Sequence, residues 1–290
     1  MSTELDRHHQ VVGVDGSPGS KHALAWAIGR AEQLGPVMPV SAWHFPWWAF
    51  VPTATGTTMP PGEDEFSEIT ARLVEQSLEG LDRRDLLSPV IVHGAAGPAL
   101  VTAGSDASLI VVGTRGHGAL TSGLLGSVSG HCTNQATVPV AVIPTEAPLA
   151  DRYGVVVVGY DGSEHAAKAV EWAAENTPSA TEIKVVHVWN PSMITTAQVE
   201  ALAGEQLSAA SQVIVNEAVE QFQSRSEFSD RVFTAISESG DARDVLRSEA
   251  AEADLLIVGA RGRGSVALLP LGSVSSALIH RPKVATVIVH

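Results

Sequence analysis

Cysteine is almost missing from this sequence: Cys132 is the only one in 290 residues. One thiol closes no internal disulfide, so a disulfide framework is excluded and the cytoplasm is the expected compartment. Basic residues are scarce too, 18 Lys+Arg against 32 Asp+Glu, and the net charge of −14 repels phosphate backbones and anionic lipid. Neither nucleic acid nor a membrane surface is expected as a partner. Long hydrophobic runs are lacking: Val155 to Val158 and Leu255 to Val258 fall far short of the roughly 20 residues a membrane span needs. The opening MSTELDRHHQ has no basic-then-apolar leader.

Several catalytic signatures are also missing. No Gly-Lys-Ser/Thr occurs, so a P-loop NTPase is excluded, and GTRGHG lacks the G-x-G-x-x-G spacing of a dinucleotide site. No G-x-S-x-G elbow is present, and DGS lacks the second aspartate of a phosphatase-type DxD. The eleven histidines form no H-x3-H or H-E-x-x-H pattern, so no zinc-type site is expected from them.

What is present is a duplication. VVGVDGS at 11–17 returns as VVGYDGS at 157–163, a displacement of 146 that also carries Trp26 to Trp172, Trp43 to Trp189, Gly113–Gly118 to Gly259–Gly264, and LGSVS at 125–129 to 271–275. One register held over five segments implies two tandem domains, expected at 1–146 and 147–290. The seam is expected at PTEAPLADR, 144–152, too short to let the halves move as separate beads. Both halves are acidic, at −6 over 1–145 and −8 over 146–290.

Within each copy, short β-branched runs alternate with amphipathic stretches. Strands are expected near 10–14, 37–43, 89–93, 108–113 and 138–143, with helices near 18–34, 63–84, 97–106 and 126–136. In the second copy strands are expected near 155–159, 182–188, 231–236, 254–259 and 284–289. The alternation implies an α/β fold with a parallel sheet covered on both faces, and the continuous apolar character of LIVVG and LLIVG fits strands buried on both sides.

In such a sheet, ligands lie beyond the carboxyl ends of the strands. There the sequence places Asp15-Gly-Ser17 after the first strand and Gly113-Thr-Arg-Gly-His-Gly118 after the fourth, with counterparts at Asp161–Ser163 and Gly259–Gly264. The spacing Gly113-x2-Gly116-x9-Gly126-Ser127 repeats unchanged as Gly259-x2-Gly262-x9-Gly272-Ser273. Glycines let backbone N–H groups approach an anion, and a helix opening at Gly126-Ser127 offers free N–H groups and a positive dipole end to phosphate. Plain N-capping by Ser127 and Ser273 uses similar geometry and stays open. So does an Asx turn for Asp15 and Asp161, against acceptance from a ribose or an adenine amine.

These residues resemble the universal stress protein family, in its tandem ATP-binding branch: both halves meet G-x2-G-x9-G-(S/T) with the preceding Asp, over essentially the whole chain. The resemblance implies two Rossmann-like domains, flavodoxin-like or of the adenine nucleotide alpha hydrolase type, each a five-stranded parallel sheet, with the final strands helping to pair the halves. It implies ATP as the ligand, with Mg2+. The phosphates would lie at Gly113, Gly116, Gly126, Ser127 and Val128 in the first half, and at Gly259, Gly262, Gly272, Ser273 and Val274 in the second. Asp15 and Asp161 would take the sugar side, beside the strand-end glycines Gly13 and Gly159, and Ala42 and Val188 would line the adenine pocket. Within the loops, Arg115, His117, Gly118, Arg261, Arg263 and Gly264 are candidates, the cations to offset polyphosphate charge. A stress-response role, a protein partner, a homodimer and at most slow hydrolysis complete the expectation. The aromatic stretch Trp43 to Phe50 is read as a lid or interface element, or as core filling under a loop.

Overall fold

The computed structural model describes residues 9–43, 63–81, 86–116, 125–149, 153–190, 197–264 and 269–290. The first half runs β1 (Gln10–Gly13), α1 (Pro18–Ile28), α2 (Ala31–Leu34), β2 (Val37–Trp43), α3 (Glu63–Ser77), β3 (Val90–His93), α4 (Ala96–Ala103), β4 (Leu109–Gly113), α5 (Ser127–Gln135) and β5 (Val140–Ile143). The second runs β6 (Val155–Gly159), α6 (Glu164–Asn176), β7 (Glu182–Trp189), α7 (Ala197–Gln223), β8 (Val232–Ser239), α8 (Ala242–Ala250), β9 (Leu255–Gly259), α9 (Ser273–His280) and β10 (Ala285–Val289). Two expected helices differ, and the one expected over 63–84 ends at Ser77. The stretch 18–34 breaks at Gly29, where Arg30 turns inward to give Nη1 to the Trp26 carbonyl, and Gly35, at φ 86°, ends the short α2.

The strands form a single ten-stranded sheet in the order β3-β2-β1-β4-β5-β10-β9-β6-β7-β8. Each half is the doubly wound order 3-2-1-4-5, parallel throughout, so its connections part to opposite faces between β1 and β4, and between β6 and β9. The halves join where β5 and β10 pair antiparallel, Val142 opposite Thr286, Ala141 opposite Val287 and Val140 opposite Ile288. Because 140, 141 and 142 correspond to 286, 287 and 288 under the duplication, this pairing maps onto itself. A pseudo-twofold axis therefore passes through the Ala141–Val287 pair.

The burial follows the period of two. On β4, Leu109 and Val111 join the apolar layer on one face and Ile110 and Val112 the layer on the other; on β9, Leu255 and Ile257 alternate in the same way with Leu256 and Val258. Both layers run through both halves, so the sheet is one continuous support. The connecting segment is held as well: Ala147 is buried and its carbonyl lies 2.8 Å from His22 Nε2 on α1.

Candidate functional site

The D-G-S segments fold the same way in both halves. Asp15 Oδ1 accepts the Ser17 N–H at 3.0 Å, and Asp161 Oδ1 accepts the Ser163 N–H at 3.0 Å, each an Asx turn. The middle glycines, Gly16 at φ 80° and Gly162 at φ 75°, sit in the left-handed region that other residues avoid. The serines then cap the following helices, Ser17 Oγ accepting from Ser20 N and Ser163 Oγ from Ala166 N, both at 3.2 Å. The Asx turn left open by the sequence is thus present. Asp161 Oδ2 also accepts the Arg263 N–H at 2.9 Å and so ties the loop after β6 to the loop after β9.

That tie explains the loop glycine. A Cβ at Gly262 would stand 2.3 Å from Asp161 Oδ2, and one at Gly116 would stand 2.1 Å from Asp15 Oδ2. Gly113 and Gly259 serve another contact: a Cβ there would press on the backbone of Gly19 at 2.9 Å and of His165 at 2.6 Å, where the first turns of α1 and α6 cross the strand ends. Gly13 and Gly159 face Leu100 and Leu246, which stand 146 residues apart.

The second loop closes in both halves with one backbone hydrogen bond, Gly126 N to Thr114 O at 2.9 Å and Gly272 N to Ala260 O at 2.8 Å. It sets the starts of α5 and α9 beside the ends of β4 and β9. Here the capping reading of Ser127 and Ser273 is corrected: the N-cap residues are Gly126 and Gly272, neither start has a side-chain cap, and the two serines are the first helical residues. As helical residues they do not take the extended backbone of a cap, and among the described residues no cap side chain bonds the leading N–H groups. Both serines are exposed, while Ser275 Oγ anchors α9 by donating to the Gly259 carbonyl at 2.7 Å.

In the second half these pieces surround a cavity of about 410 Å³. It brings together Gly159, Asp161, Val188, Gly259, Arg261, Gly262, Gly264, Gly272, Ser273 and Val274 from the expected set. Arg263 lies at its edge, exposed, with its guanidinium folded over Gly162. Residues the sequence reading did not name also line it: Tyr160, Val186, Ala242, Leu246, Leu269 and Leu271 among them. Tyr160 had a signal, since the in-register comparison sets it against Val14. Burial raises its phenol pKa, with nearby Arg263 pulling the other way. The walls are largely apolar and the phosphate-loop end is polar, a distribution suited to a flat heterocycle carrying an anionic tail.

In the first half, Gly13, Asp15, Gly113, Arg115, Gly116, Gly126, Ser127 and Val128 occupy corresponding places at the β1 and β4 ends, and Ala42 lies on β2, paired with Val92. Arg115 is exposed. His117 and Gly118 lie outside the described residues, as does the aromatic stretch after Trp43. Trp43 itself stacks on Phe66 of α3 at 5.7 Å and tilts against His93 at 4.5 Å.

A doubly wound pair with the same glycine loop at both switch points has a counterpart among known families. The universal stress protein family matches residues 7–144 and again 152–290. The chain belongs to that family. Universal stress protein Rv2005c of Mycobacterium tuberculosis is 31% identical over 306 aligned positions covering 99% of each chain. Rv1996 of the same organism is 29% identical, covering 97% of this chain and 94% of its own. Among solved structures, a universal stress protein of Archaeoglobus fulgidus covers 97% of this chain and 95% of its own with a TM-score of 0.64 at 19% identity, a likeness of fold. Among the described residues of this family member, no helix is long and apolar enough to cross a membrane.

Proposed function

We propose that this universal stress protein binds ATP in each of two domains, 1–146 and 147–290, and that occupancy shifts its conformation or its binding to a protein partner in a stress response. The observation that carries the reading is the second-half cavity, where an apolar slot of about 410 Å³ ends at the uncapped start of α9. Free N–H groups and the helix dipole at that start suit phosphate, Val188 and its apolar neighbours suit adenine, and Asp161 lies at the sugar side. Each carboxylate oxygen has two lone pairs, so the backbone N–H groups held by Asp161 leave room for a ribose hydroxyl. The first half repeats the constellation from Asp15 to Val128.

Magnesium fits as a companion of the nucleotide, since it is commonly held by substrate phosphates and water with few protein ligands. Among the described residues lining the cavity, Asp161 is the only acid, and both its oxygens are engaged with backbone donors. A base to activate water at the far phosphate is therefore lacking there, which supports slow hydrolysis and ATP acting as a ligand. The protein is proposed to be cytoplasmic and homodimeric.

Calorimetric titration with ATP and Mg2+ tests the reading, with two sites per chain expected. A folded sample that binds none overturns it and favours a nucleotide-independent scaffold. A nonhydrolysable analogue should reproduce every ATP effect on oligomer state or partner binding.

A further inference from the structure

A second cavity, of about 650 Å³, opens at the junction of the two halves. One wall is the end of α5 from the first half, Asn134 to Thr137. The other carries His165 and Lys168 from the first turns of α6, Arg261 from the loop after β9, and His290 beyond β10. Four basic side chains and, among the described residues, no acidic side chain line this hollow, in a chain whose net charge is −14.

One nearby acid already pairs with a cation of the cluster, and the other is held by backbone donors. Glu164 holds Lys168 at 3.0 Å on the exposed flank of α6, and Asp161 accepts the backbone N–H groups of Ser163 and Arg263. Within the cluster like charges oppose one another. Burial and the charges of His165 and Arg261 push His290 down to about 4, and burial with Arg261 and Lys168 lowers His165. His290 Nε2 is buried with no hydrogen-bond partner. Two cations, Arg261 and Lys168, beside an unsatisfied imidazole nitrogen are stabilised by an anion placed among them.

The duplication does not generate this cluster. Under the displacement of 146, His165, Lys168, Arg261 and His290 correspond to Gly19, His22, Arg115 and Pro144, so both junction histidines are replaced in the first half. His22, for its part, meets the Ala147 carbonyl at 2.8 Å.

We propose that the junction cavity is an anion site, separate from the nucleotide cavity, that takes a phosphate group, as free phosphate or as the monoester of a small organic molecule. The Arg261 guanidinium and the Lys168 ammonium supply the positive charge, and the two imidazoles can each offer a ring N–H to a phosphate oxygen. The cavity is larger than phosphate alone needs, and it leaves room for an organic tail between α5 and α6. The occupant contacts both halves. Arg261 lines both cavities, which sets this site beside the nucleotide site without merging them.

The full chain should be titrated calorimetrically with inorganic phosphate and with glycerol 3-phosphate, each against wild type and a His165→Gln, Lys168→Gln double variant. Arg261 is left intact in that variant, so ATP binding should be unchanged. Saturable binding of at least one probe, weakened tenfold or more in the variant while ATP affinity holds, is the expected result, and the tighter probe identifies the source of the phosphate. Absence of saturable binding to wild type with an intact melting transition overturns the proposal, as does equal binding by wild type and variant. Should the double variant lose its transition, His290→Gln supports the same comparison. A failed ATP titration beside a positive phosphate titration would remove the nucleotide reading alone.

Discussion

Arg30 Nε donates to the hydroxyl of Tyr153 at 2.6 Å across 123 positions of sequence. The contact joins the break between α1 and α2 to the residues that lead into β6, so it is made between the halves. Arg30 is 1% exposed, lies 4.2 Å from the Trp26 ring centroid and makes no ion pair among the described residues. Burial pushes the Tyr153 phenol up to about 12, so at neutral pH it remains a protonated partner for the guanidinium.

Tyr153→Phe leaves a buried donor without its acceptor, and should destabilise the chain by about 1–3 kcal/mol in urea unfolding. Adding Arg30→Met removes the orphaned charge, so the double variant should lose less than the sum of the single changes. Simple additivity would show that the pair does not act as a unit.

Asp161→Ala should weaken nucleotide binding in the second half by releasing the N–H groups of Ser163 and Arg263. Titration should then show one tight site per chain. Gly262→Ala should give a similar defect, because its methyl group displaces the same carboxylate. In the Asp161→Ala background the Gly262→Ala change should add little; full additivity of the two losses would mean that Gly262 acts through some other contact.

Cys132 is fully buried and its thiol is pushed up to about 12 by desolvation. At pH 8 the native protein should not react with a thiol reagent such as DTNB, and one equivalent should appear on unfolding in guanidinium. Rapid labelling of the native state would show that the face carrying Cys132 opens readily.

Stability should fall as the pH drops from 7 toward 4. His290, held down to about 4, is neutral in the folded chain while its unfolded counterpart titrates near 6.5, so between those values the unfolded state binds more protons. The groups facing it, His165 and Arg261, oppose a charge on the ring and add to the cost. A loss on the order of 1–3 kcal/mol is expected, reduced by the partial solvation of the ring. Thermal melts of wild type and His290→Gln across this window should differ in slope, the variant being flatter.

The duplication, the α/β alternation and the repeated glycine loop were all legible in the sequence, because each is carried by local periodicity or by spacing within one copy. LIVVG and LLIVG announce strands buried on both faces whatever their neighbours are. The D-G-S and G-x2-G-x9-G-S segments likewise mark a turn and a helix start, since Gly at positive φ and Ser after Asp are local demands. Only the tertiary structure decided that a Cβ at Gly262 would strike Asp161, that Gly272 and not Ser273 occupies the cap, and that β5 meets β10 antiparallel about Ala141 and Val287. The same holds for the Arg30–Tyr153 contact and for the basic cavity at the junction. These relations join residues far apart in sequence, or depend on which backbone group a side chain reaches after packing. Local pattern says which face of an element is buried, and the folded chain alone determines what meets that face.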